Sequence, residues 1–140
     1  MRTTLVKLTA AAATVITAIG LAAAPANAAG PVDVPFRITY GASVSSGTVH
    51  FTVGYSASVT GTVHAVSTKK QVCAEGFNGA LETGLPCSNF ASPDGPNVGF
   101  TFPLKISAPG GVNSVAILMF DADVNVTGSV VCDRSGCVSV

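Results

Sequence analysis

Apolar and polar residues alternate with a period of two along most of the chain beyond residue 30, which predicts short strands with one buried face. Val32, Val34, Phe36, Ile38 and Tyr40 alternate with Asp33, Pro35, Arg37 and Thr39. Pro35 assigns this strand to a sheet edge or a bulge, because proline donates no ladder hydrogen bond. Val49, Phe51, Val53 and Tyr55 alternate with His50, Thr52 and Gly54, and after Ser56-Ala57-Ser58 the chain returns through Val59, Val63 and Ala65. That pattern predicts a hairpin with Phe51 opposite Val63 on the core face and His50 opposite His64 on the outer face. Register shifts by an even number of residues keep these faces, and odd shifts bury the polar set.

A short strand is expected at Lys70-Gln71-Val72-Cys73, after which Ala74 to Asn97 is rich in Gly, Pro and Asn and has no sustained period. Phe100, Phe102, Leu104 and Ile106 resume the alternation, and Pro109-Gly110-Gly111 marks a turn. The continuous apolar run Val115 to Phe120 reads as a central strand covered on both faces. Ala122, Val124 and Val126 then alternate with Asp121, Asp123, Asn125 and Thr127, and Val130 to Val140 reads as a closing hairpin. About seven short strands between turn-forming clusters predict an all-β, antiparallel, immunoglobulin-like sandwich, with a small closed barrel as the alternative. The chain contains no Trp, so the Cys and Trp core of antibody domains is absent and the likeness is architectural.

The N-terminal segment changes the picture. Arg2 and Lys7 precede an apolar run from Leu8 to Ala24, and Ala26-Asn27-Ala28 has the form of a signal-peptidase site. Residues 1–28 therefore read as a secretory signal peptide of bacterial style and residues 29–140 as one exported domain, secreted and extracellular. Beyond residue 28, five basic residues stand against seven acidic ones. With no basic cluster, neither nucleic acid nor an anionic membrane is an expected partner. The four cysteines all lie in the exported part, where two disulfides are expected. Cys132 and Cys137 enclose Asp133-Arg134-Ser135-Gly136, a hairpin turn that brings them face to face, which leaves Cys73 to pair with Cys87.

Candidate chemistry is sparse. Gly47-Thr48-Val49-His50 recurs as Gly61-Thr62-Val63-His64, and its histidines are the only two in the chain. On the expected pairing they sit side by side outside the sheet without an Asp, Glu or Cys beside them, too few ligands for a metal. Asp121, Asp123 and Asn125 resemble the start of a calcium loop, but Val126 and Cys132 stand where the loop needs Gly and Glu, so they read as polar positions of a half-exposed strand. No Ser, Cys or paired-carboxylate nucleophile pattern is complete. The expectation is a protein that is not an enzyme and needs no cofactor. Phe77, Leu81, Leu85 and Phe90, set in the irregular stretch and braced by Cys73–Cys87, are the candidate ligand-binding residues.

Domain length, secretion and the order of the cysteines, including Val131-Cys132-Asp133-Arg134-Ser135-Gly136-Cys137-Val138, resemble the neocarzinostatin-like apoproteins of enediyne chromoproteins. The resemblance implies a β-sandwich whose cleft holds a small apolar chromophore. It implies no particular binding residue, because three residues follow Cys137 where that family continues with a strand pair that helps form the cleft. The functional expectation is a secreted binding module for a protein or small apolar ligand. Alternatives are a self-associating structural or cell-surface protein and a small enzyme inhibitor presenting Leu85-Pro86-Cys87.

Overall fold

The computed structural model describes residues 30–140, and the expected signal peptide lies outside them. Nine strands follow one another: β1 (Val32–Tyr40), β2 (Ser43–Phe51), β3 (Ser56–His64), β4 (Lys70–Asn78), β5 (Leu81–Glu82), β6 (Val98–Lys105), β7 (Ser114–Asp121), β8 (Val126–Asp133) and β9 (Gly136–Ser139). They form two antiparallel sheets, a first of order β1-β2-β3-β6 and a second of order β5-β4-β7-β8-β9. The molecule is a β-sandwich of seven strands of eight or nine residues and two short ones.

The core lies between the sheets. Phe36, Ile38, Val49, Phe51, Val59, Val63, Phe102 and Leu104 face it from the first sheet, and Val72, Val115, Ile117, Met119 and Val130 from the second. Each belongs to the apolar set of a period-two strand. Proline interrupts both edges of the first sheet, Pro35 in β1 and Pro103 in β6, where a missing N–H costs no ladder bond and blunts pairing with another chain.

The hairpin β2–β3 has a different register from the one expected. Val49 lies opposite Val59, Phe51 opposite Ala57, and His50 opposite Ser58. The chain turns earlier, at residues 52–55, where the Thr52 N–H and hydroxyl both donate to the Ser56 carbonyl at 3.1 and 2.7 Å. Val53 and Tyr55 are thereby turn residues and exposed, while the apolar sets of both strands still face the core because the shift is even. Upstream, β2 extends back to Ser43 and joins β1 through Gly41-Ala42, with Gly41 at φ 58° in the first central position of a two-residue turn.

This register explains the repeated tetrapeptide. Gly47 and Gly61 lie directly opposite each other, flanked in the same row by Phe36 on β1 and Phe100 on β6. A Cβ on Gly47 would stand 2.0 Å from the Thr60 carbonyl oxygen, and one on Gly61 would stand 2.4 Å from that of Ser46 and 2.9 Å from the Phe100 ring. The strands approach too closely here for side chains, and two Phe rings fill the core on either side.

Three further expectations are corrected. β7 is central as expected, but only Val115, Ile117 and Met119 are fully buried, while Ala116, Leu118 and Phe120 are partly open on the outer face. Ala122 to Asn125 is a turn between β7 and β8 and not a strand. The stretch from Ala74 to Asn97 is ordered at its start, since β4 runs to Asn78 and turns into β5.

Candidate functional site

Beyond β5, residues 83–91 form a strap along the free edge of β4. Thr83 N–H donates to the Gly76 carbonyl, Ala74 N–H to Pro86, and Ser88 N–H to Val72, at 2.8–3.1 Å. Lys70 and Ala91 exchange both backbone bonds. The Cys73–Cys87 disulfide fastens the middle of the strap, and Cys132–Cys137 bridges β8 and β9, both as expected. A segment without a strand pattern thus covers a sheet edge, because its backbone and the Thr83 and Ser88 hydroxyls, which accept the Gly76 and Val72 N–H groups, supply the hydrogen bonds while its Gly and Pro residues break the side-chain period.

The four candidate residues do not converge. Phe77 is half-buried on β4, while Leu81, Leu85 and Phe90 are exposed by 51%, 46% and 42%. Leu81 pairs with Asn78 at one end of β4 and Phe90 precedes Ala91 at the other, so they are strung along about 25 Å of strand edge.

What they border is an apolar surface that sequence reasoning missed. On the outer face of the second sheet, one row carries Glu75, Ala116, Val131 and Val138, the next Cys73, Leu118 and Ser129, and a third Gln71, Phe120 and Val126. Val126 and Val138 are 52% and 64% exposed, and Leu118, Phe120 and Val131 are partly open. Among the matching rows of the first sheet are Arg37, Ser46, Thr62 and Gly99, then Pro35, Thr48, Thr60 and Thr101, then Asp33, His50, Ser58 and Pro103. One outer face is hydroxylated and the other aliphatic. The signal was present in the unbroken run Val115 to Phe120, but only the pairing shows that Val131 and Val138 lie beside it.

The β7–β8 turn extends this surface. Val124 adopts φ 64° and is 74% exposed. A β-branched residue in the left-handed region is strained by its own Cβ, and such strain concentrates at functional positions. The Asp121 carboxylate organises the turn by accepting the N–H groups of Asp123 and Asn125, each at 2.9 Å, so the three polar residues form a turn cap and not a strand face. Val124→Gly is expected to raise stability by about 0.5–1 kcal/mol in denaturant melts, since Gly adopts this φ without strain. An unchanged or lowered midpoint would mean that the valine is not strained.

Hydrogen bonding from the Asn125 backbone, first among the causes, holds the Asp121 carboxyl below the usual carboxylate range. A depressed folded-state pKa stabilises the turn fully above the ordinary Asp value, and that contribution disappears as pH falls through the lowered one. Amide exchange at Asp123 and Asn125 should therefore accelerate relative to the rest of β7 and β8 as pH drops below about 4. In Asp121→Asn, whose amide oxygen still accepts but does not titrate, the extra acceleration should vanish.

The histidines are separated. His50 Nδ1 bonds to the Asp33 carboxylate on β1, an acidic neighbour the expected register did not supply, and His64 Nδ1 lies 2.9 Å from Asn97 Oδ1. Among the described residues, no group of three His, Cys, Asp or Glu side chains is placed to hold a metal. Two basic residues are consumed internally. Arg134 donates to the carbonyls of Gly30 and Thr52 at 2.9 and 2.6 Å. Lys70 is fully buried, donating to Thr68 Oγ1 at 2.8 Å with its ammonium 4.8 Å from the Tyr40 ring centroid. No family model, curated protein or solved structure matches the chain.

Proposed function

We propose that the protein is an exported, non-catalytic binding module whose contact surface is the outer face of the second sheet, bordered by Leu85 and Phe90 of the strap. The observation that carries this reading is the contrast between the two outer faces. A sheet that only needs water on one side selects hydroxyls there, as the first sheet does, whereas an aliphatic face left open marks a place for a partner. The strap and its disulfide hold the border rigid and so lower the entropy lost on contact. Two disulfides accord with an oxidising exterior.

Several features support contact over catalysis or carriage. The His50–Asp33 pair lies open to water on the outer face of the first sheet, whereas a catalytic imidazole is held buried and oriented. A groove lined by Arg37, Ile38, Thr39, Gly128, Ser129, Val130, Ser139 and Val140 has a volume of about 190 Å³. Drug-sized ligands occupy pockets of roughly 300–1,000 Å³, so this groove is too small to enclose one. Leu85-Pro86-Cys87 is tied down through the Pro86 carbonyl, which favours flat contact over a projecting inhibitory loop.

Leu118→Asp and Val131→Asp test the reading. Both side chains lie outside the core, so the variants should melt close to the parent while losing the partner that the parent recovers from its own culture medium under native conditions. Undiminished recovery by both variants would sink the assignment of this face.

A further inference from the structure

Charge is divided unequally between the two outer faces. Glu75 and Glu82 flank the apolar rows on the strap side, Asp133 closes one end of β8, and Asp123 sits in the β7–β8 turn at the other. No lysine or arginine occupies an outward position of β4, β5, β7, β8, β9 or the strap. Arg37 and Lys105 lie exposed on the first sheet, Lys69 lies between β3 and β4, and Lys70 and Arg134 are engaged internally.

We propose that the outer face of the second sheet takes a basic amphipathic polypeptide segment. Its aliphatic side chains lie against Leu118, Phe120, Val131 and Val138, and its Lys or Arg residues against the flanking carboxylates. The inference rests on that face being the contact surface. Complementary charge sets which apolar partner is accepted, because opposite charges steer the encounter and like charges are rejected. A second copy meeting face to face would bring carboxylates toward carboxylates, and an anionic lipid surface would be repelled in the same way. Size points the same way. At about 3.3 Å per residue and about 4.8 Å between strands, the three long strands β4, β7 and β8 with the short β5 and β9 present roughly 500 Å² in projection. That area seats one helix about 10 Å wide or a two-stranded ribbon.

The test uses the disulfide-bonded domain and two synthetic amphipathic helices, one of Leu and Lys and one of Leu and Glu, followed by amide chemical shifts and titration. The Leu/Lys helix is expected to shift Leu118, Phe120, Val131 and Val138, to leave Thr48, Thr60 and Thr101 in place, and to bind more weakly as salt is raised. The double substitution Glu75→Lys with Glu82→Lys should weaken it about tenfold and strengthen the Leu/Glu helix. Equal binding of the two helices would overturn the charge inference while leaving the contact face standing. Shifts at those residues that follow the concentration of the protein alone would overturn it in favour of a second copy. If neither helix moves them, both the inference and the contact face fall.

Discussion

Gly47→Ala is expected to destabilise the domain by about 3 kcal/mol or more, lowering the melting temperature by about 10–15 °C, or to prevent folding. The new methyl would lie 2.0 Å from the Thr60 carbonyl oxygen and 2.6 Å from the Gly61 Cα. Both are backbone atoms held in the β2–β3 ladder, so neither can rotate aside as a side chain would. Gly61→Ala should cost somewhat less, because one of its close contacts is the Phe100 ring at 2.9 Å, which can tilt. Gly54→Ala provides the control: nothing lies within 4 Å of its added Cβ, and the change should stay within about 0.5 kcal/mol. Chemical denaturation of the three variants measures this directly. A Gly47→Ala protein as stable as the parent would show that the strands do not approach at this point.

The second large effect concerns the strap. Cys73→Ser with Cys87→Ser is expected to lower stability by about 2–4 kcal/mol, with roughly 3 kcal/mol from the loop-entropy argument for a ring of this length. Its consequence reaches further than the energy. Released from its fastening, the strap competes with water for the β4 backbone, and each opening exposes the Ala74 N–H and both backbone groups of Val72 and Gly76, which Pro86, Ser88 and Thr83 now satisfy. An uncovered edge recruits other chains, so the variant should aggregate at concentrations where the parent stays dispersed. Removing Cys132–Cys137 should cost less. That ring is shorter, and the β8–β9 hairpin already places the two residues opposite each other. Equal losses from the two pairs, or a Cys73/Cys87 variant that stays dispersed with the β4 edge amides as protected as before, would remove the strap from its proposed role.

Much of the site was hidden for a definable reason. The candidate residues Phe77, Leu81, Leu85 and Phe90 are apolar and mostly exposed, as a binding loop requires, but they line a border and do not converge. Val131 and Val138 carry no signal of their own, since each is one valine in an alternating strand. They become part of a surface only because β8 pairs with β7 and β9 in a register that sets them beside Ala116. The strap escaped for the opposite reason. Its bonds to β4 come from backbone groups and from the Thr83 and Ser88 hydroxyls, none of which leaves a period in the sequence.

The chain alone determined most of the strands and their core faces, the Cys132–Cys137 pair and the edge or bulge position of Pro35, because each follows from neighbours a few residues away: the two-residue period, a four-residue turn, a missing N–H; Cys73–Cys87 then followed by elimination. Register and layering were decided only in the folded molecule. A strand can slide by two, four or six residues without moving an apolar side chain to the wrong face. The choice of Val49 opposite Val59, and with it the parting of His50 from His64 and the meeting of Gly47 with Gly61, was settled by the tight turn at Thr52 and by the Phe36 and Phe100 rings packed from other strands.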